Sequence, residues 1–132
     1  MPRSPVEQDY MHALMVALSA TRRVHVQRQP AGDIPAARGG VVKCGPVGCA
    51  DITGGVIEAG PCWGVRLEVE VKGARTQQTA QQKRWAAMCG TWGFIYVLAR
   101  AKRDETLEAF AARATAEVLA AIDASAGGHG AR

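Results

Sequence analysis

The chain has no apolar run approaching the ~18 residues of a membrane-spanning helix, which excludes a helical membrane protein as an expectation. Its first residues lack the basic-then-apolar pattern of a secretory signal, so the expected location is the cytoplasm. Cys44, Cys49, Cys62 and Cys89 form no C-x-x-C, and His12, His25 and His129 are not spaced to complete a zinc site with them. Buried free thiols in a reducing compartment are the reading that follows. No internal repeat is present. With 132 residues, one core can form without disulfide or metal staples. The expected organisation is a single domain over residues 1–124 and a disordered Ala/Gly-rich tail over 125–132.

Positive charge is present and unevenly spread. The net charge is +4, but residues 1–103 hold fourteen Lys/Arg against seven Asp/Glu. The remainder is acidic, with Asp104, Glu105, Glu108, Glu117 and Asp123 against Arg113 and Arg132. A basic body beside an acidic helix suits a polyanion approaching one side, the plain alternative being solubility charge.

Local signals place the elements. Ser4-Pro5-Val6-Glu7 reads as a helix start, with Ser as N-cap, Pro first and Glu third, and Val6, Tyr10, Leu14 and Leu18 continue it to about Ala20. Val24–Arg28 reads as a strand, Gln29–Gly40 as a loop, and Val41–Cys44 as a second strand. A hairpin follows, from Asp51 to Ile57 and from Cys62 to Lys72. Thr79-Ala80-Gln81-Gln82 is a capping box opening a helix through about Cys89, which Gly90 can end. Phe94–Leu98 is a continuous apolar strand, as expected of one buried on both faces. Asp104 caps a last helix with Leu107, Phe110, Ala114, Val118 and Ile122 as its inner stripe. The predicted class is α/β, a mixed sheet flanked by helices in the order α-β-β-β-β-α-β-α.

One constellation carries chemistry. Asp51 follows the Gly-rich turn Gly45-Pro46-Val47-Gly48-Cys49-Ala50, and Glu70-Val71-Lys72 lies in the strand Val65–Lys72. Side chains alternate across a strand, so Val65, Leu67, Val69 and Val71 form a core face, with Arg66, Glu68, Glu70 and Lys72 opposite. A hairpin brings Asp51 alongside. Two acids and a lysine are the minimal kit for metal-assisted phosphodiester hydrolysis: hard oxygen ligands, and a cation for water and phosphate. A half-exposed strand with charges facing water is the bland reading of the same residues.

Gly45 to Gly54, then Leu67-Glu68-Val69-Glu70-Val71-Lys72-Gly73, then Thr79-Ala80-Gln81-Gln82-Lys83-Arg84-Trp85 and Gly93-Phe94-Ile95-Tyr96-Val97 together resemble the VRR-NUC family. These virus-type replication-repair nucleases are small members of the PD-(D/E)xK restriction-endonuclease-like superfamily. The resemblance covers Glu7 to about Phe110. It implies that Asp51 and Glu70 bind Mg²⁺ or Mn²⁺, with the Val71 backbone carbonyl as third ligand. Lys72 then contacts the attacking water or the phosphate, and Gln82 orients that water or Lys72. Glu7 matches the family's leading glutamate, with reach to the metal, or else it merely closes a capping box on Ser4. Gln82 carries the same ambiguity with Thr79. Arg28 matches a basic residue for phosphate contact, or is surface charge.

Two departures stand out. Ala50 replaces the proline that often precedes the motif aspartate. Glu68 is an extra acid on the active face, either a water-mediated ligand or a source of like-charge repulsion. The function implied is a metal-dependent DNA endonuclease leaving a 5′-phosphate, acting as a homodimer on branched DNA such as Holliday junctions in phage or bacterial replication and repair. Arg22, Arg23, Arg28, Lys43, Arg75, Lys83 and Arg84 are the candidate phosphate contacts. The rival readings are a catalytically inactive DNA-binding or assembly module, and a nuclease subunit of a restriction or packaging machine.

Overall fold

The computed structural model describes residues 4–29, 32–35, 37, 39, 41–44 and 48–129, with backbone alone for 32–35, 41–44 and 127–129. The elements are α1 (Glu7–Ala20), β1 (Val24–Arg28), β2 (Gly32–Pro35), β3 (Val41–Cys44), β4 (Ile52–Val56), β5 (Arg66–Lys72), α2 (Ala80–Thr91), β6 (Ile95–Arg100) and α3 (Leu107–His129). The class is α/β, with a four-stranded mixed sheet and three helices among the described residues. The order contains one strand more than expected. Gly32–Pro35, inside the segment read as a loop, pairs antiparallel with Val41–Cys44 to make a separate two-stranded ribbon.

The main sheet has the order β1-β4-β5-β6. β1 and β5 flank β4 antiparallel, and β5 and β6 run parallel, joined through the crossover helix α2. The alternation in β5 builds the core as expected. Leu67, Val69 and Val71 are buried together with Leu14 and Leu18 of α1 and Phe110, Ala114, Val118 and Ile122 of α3. Tyr10 meets Phe110 edge-on with centroids 4.9 Å apart, locking the two helices to one another. On the opposite face, Trp85 and Cys89 of α2 pack with Cys49 and Ala50, backed by Phe94 and Tyr96. β5 is therefore covered on both faces, and its polar residues Glu68, Glu70 and Lys72 are buried too.

The ends of all three helices differ from the expected ones. α1 starts at Glu7 with Val6 as N-cap instead of Ser4, because Asp9 accepts the Val6 N–H at 2.7 Å and Glu7 is engaged elsewhere. α2 runs past Gly90 to Thr91. Gly93, at φ 77°, ends it in a Schellman arrangement, with Phe94 N–H on Cys89 O and Gly93 N–H on Gly90 O. For α3, Thr106 does the capping expected of Asp104: its Oγ1 accepts the Ala109 N–H at 3.1 Å, while Asp104 sits at φ 58° in the preceding turn. α3 also continues to His129, beyond the expected end of the domain at 124, as an alanine-rich helix readily propagates. Residues 130–132 of the expected tail lie outside the described residues, as do Gly45, Pro46 and Val47 of the motif turn.

No described helix is long and apolar enough to cross a membrane. Cys49, Cys62 and Cys89 are buried and free, as expected; the Cys44 side chain lies outside the described residues.

Candidate active site

Asp51 stands one residue before β4, where the strand has left the ladder with β1. The turn leading to it lies close against α2. Gly48 has φ 87°, and a Cβ there would come within 2.6 Å of the Gln81 backbone, so both conformation and space require glycine. From this position Asp51 Oδ2 accepts the Val71 N–H at 2.8 Å, across to β5. In a strand the N–H and C=O of one residue leave on the same edge, so the Val71 carbonyl also faces the Asp51 side. The Lys72 carbonyl faces the other way and accepts from Ala101 at 2.8 Å.

Glu70 is 1% exposed and Lys72 6%. The Lys72 Nζ lies 3.7 Å from Glu70 Oε1, and the same oxygen accepts from Gln82 Nε2 at 2.9 Å. Glu70 Oε2 is buried without a hydrogen-bond partner. Burial pushes the Glu70 carboxyl up to about 8, helped by the charge of Asp51 and opposed by Lys72. Asp51 is also raised, first by burial, against the pull of the Val71 N–H and Lys72. Beside the Asp51 carboxylate, the buried Glu70 carboxyl keeps its proton unless a cation takes its place.

Glu7 makes a bond that neither reading named. Its Oε1 accepts the Gly73 N–H at 2.9 Å, tying the first turn of α1 to the end of β5, sixty-six residues away. It closes no box on Ser4, but it lines the same cleft as Asp51, and its charge acts on both Asp51 and Glu70. Among the described residues no three His, Cys, Asp or Glu side chains gather to hold a metal ion. Asp51, the unpartnered Glu70 oxygen and the Val71 carbonyl nevertheless fit a hard divalent cation that takes its remaining ligands from water or substrate.

Gln82 closes the capping box and also reaches into the site, where its amide meets Glu70. Its N–H donates to Thr79 Oγ1 at 3.1 Å, its Oε1 accepts the Thr79 N–H at 2.9 Å, and its Nε2 is free to reach Glu70.

Glu68 is fully buried. Its Oε1 accepts from Trp85 Nε1 at 3.1 Å, from Gln29 Nε2 at 3.1 Å and from Arg66 at 3.4 Å. These donors place it behind the site as an anchor. Gln29 and Tyr96, whose hydroxyl burial and nearby Glu70 push up in pKa, belong to this environment and were not singled out from sequence. Gln29 belongs to no motif, Tyr96 entered only as part of the Gly93–Val97 run, and the places of both depend on strand register.

The basic candidates divide. Arg28 is exposed and shares a cleft of about 400 Å³ with Glu7, Asp51 and Gln82. Arg75, in the loop after β5, lines a neighbouring groove of about 1180 Å³ that Glu7 also borders. Lys83 and Arg84 are exposed on α2. Lys43 lies on β3, its side chain outside the described residues. Arg22 is exposed. Arg23 is instead paired with Glu58 at 2.6 Å and with Asp123 at 2.7 Å.

Neither a protein-family model nor a curated protein matches this chain.

Proposed function

We propose that the chain is a divalent-metal-dependent DNA endonuclease of restriction-endonuclease-like fold, hydrolysing phosphodiester bonds in branched DNA such as Holliday junctions. One observation carries the reading. Asp51 is bonded beside Glu70 and Lys72, and the latter two are almost fully withdrawn from water. Each ion so withdrawn costs several kcal/mol unless its partners are well placed, so such a set is poor material for a merely solvated strand face. The resemblance to VRR-NUC nucleases supports the same residues in the same roles. The four-stranded mixed sheet with helices on both faces is compatible with it.

In this reading Asp51 and Glu70 would hold Mg²⁺ or Mn²⁺, with the Val71 carbonyl as third protein ligand. A cation bound there supplies Lewis acidity to the phosphate and lowers the pKa of a water. Lys72 acts as a fixed point charge toward the attacking water and the scissile phosphate. Gln82 fixes the rotamer of Glu70 through its amide. Arg28 at the cleft, with Lys43, Arg75, Lys83 and Arg84, tracks the DNA backbone.

A homodimer follows from the substrate, since a four-way junction offers two symmetric strands and one domain offers one site. Trp63 and Trp92, 71% and 51% exposed, supply apolar surface for the seam.

The test is incubation of the purified protein with four-way junction, flap, single-stranded and linear duplex DNA in Mg²⁺, Mn²⁺ or EDTA. The expected result is junction cleavage with either metal, 5′-phosphate products, and none in EDTA. Failure to cut all four substrates with both metals would overturn the reading.

A further inference from the structure

Asp51 lies outside the β1–β4 ladder, whose last pair is Arg28 with Ile52. A residue beyond the end of a ladder keeps its backbone freedom unless something else takes it away. Gln29 takes it away from both sides. Its backbone N–H donates to Asp51 O at 2.8 Å, and its side-chain Nε2 donates to Ala50 O at 3.2 Å. The two carbonyls belong to the peptide groups on either side of the Asp51 Cα. Fixing both planes fixes the direction in which the carboxylate leaves, toward the Val71 N–H.

The Gln29 amide is itself held. Its Nε2 also donates to Glu68 Oε1 at 3.1 Å, and its Oε1 accepts from Arg66 at 3.3 Å. A carboxylate on the nitrogen side and a guanidinium on the oxygen side allow only one orientation of the amide. Glu68 is fully buried and its Oε1 also accepts from Trp85 on α2, the helix that carries Gln82. One buried carboxylate thus ties together the strand end beside Asp51 and the helix that braces Glu70.

We propose that Gln29, oriented by Glu68 and Arg66, is a positioning residue that sets Asp51 for divalent-metal binding. This rests on the assignment of Asp51 as a metal ligand. Outer partners of this kind change metal affinity by about 10- to 100-fold when removed.

Mn²⁺ binding to the full-length protein, measured by electron paramagnetic resonance without DNA, tests this apart from turnover. Gln29→Met keeps length and apolar stem but removes both polar ends, and is expected to weaken Mn²⁺ binding by about ten-fold or more. Its metal-free melting curve should remain cooperative. Glu68→Gln keeps an acceptor for Gln29 and is expected to stay within about two-fold of wild type, whereas Glu68→Met should resemble Gln29→Met. If Gln29→Met fails to fold, Gln29→Asn, one methylene short, carries the comparison and should show the same order of loss. Asp51→Asn is the reference and should abolish binding. Wild-type Mn²⁺ affinity in the Gln29 variant, with binding lost in Asp51→Asn, overturns the positioning role and leaves the site assignment standing. Wild-type affinity in Asp51→Asn overturns both.

Discussion

Gln82 donates its amide nitrogen to Glu70 at 2.9 Å while the oxygen of the same amide accepts the Thr79 N–H at 2.9 Å. A helix cap and a buried carboxylate are therefore held by one side chain. The start of α2 cannot fray without releasing Glu70, and Glu70 cannot rotate without disturbing the cap.

The two roles separate by mutation. Thr79→Ala removes the cap acceptor and should cost about 1 kcal/mol of stability with little effect on cleavage. Gln82→Ala should cost a similar amount and also lower cleavage. Urea midpoints and single-turnover rates on junction DNA read the two effects. Equal rates for the two variants at matched stability would reduce Gln82 to a cap.

Glu70 should make the metal-free protein less stable as pH rises. Its carboxyl ionises near pH 8 in the folded chain, against an ordinary value of 4.5. Below 4.5 both states hold the proton and no slope arises. Between 4.5 and about 8 the unfolded state releases it more readily, so stability falls by up to about 1.4 kcal/mol per pH unit. Above about 8 the slope ends. Urea unfolding in EDTA from pH 5 to 9 should show wild type losing stability relative to Glu70→Gln across this window. Parallel curves for the two proteins would contradict the buried charge.

Lys72→Ala should keep divalent-metal binding while lowering cleavage by roughly 10²-fold or more, the scale for losing one preorganised charge at a reacting centre. Calorimetric Mn²⁺ titration beside cleavage assays distinguishes this from a general collapse of the site. Loss of metal binding together with turnover would refute a separate role for the ammonium.

DNA binding should weaken steeply with salt and depend little on sequence. Arg28, Arg75, Lys83 and Arg84 are on exposed positions, and each phosphate contact contributes about −0.9 to the log–log slope on duplex DNA. Affinities for two unrelated duplexes across a salt series, repeated with the four residues changed to Ala, measure the slope and its loss. A flat salt response in wild type would remove these residues from the interface.

Sequence by itself was enough for Val24–Arg28, for the core face Leu67, Val69 and Val71, for the Thr79–Gln82 cap and for the inner stripe of α3, because each is written in residues a few positions apart. It also brought Asp51, Glu70, Lys72 and Gln82 forward, since a hairpin and the helix after it keep them close along the chain. Tertiary structure decided the rest. The Ser4 box gave way to Val6 and Asp9 once Glu7 found Gly73, and no local rule contains a partner sixty-six residues distant. Burial of Glu68, Glu70 and Lys72 required α2 to close over β5, and their alternation alone describes a solvated face equally well. Gln29 acquires its place from the register of β1 on β4. That register satisfies backbone hydrogen bonds and the burial of Val24 and Val26 together, which only the assembled sheet can do.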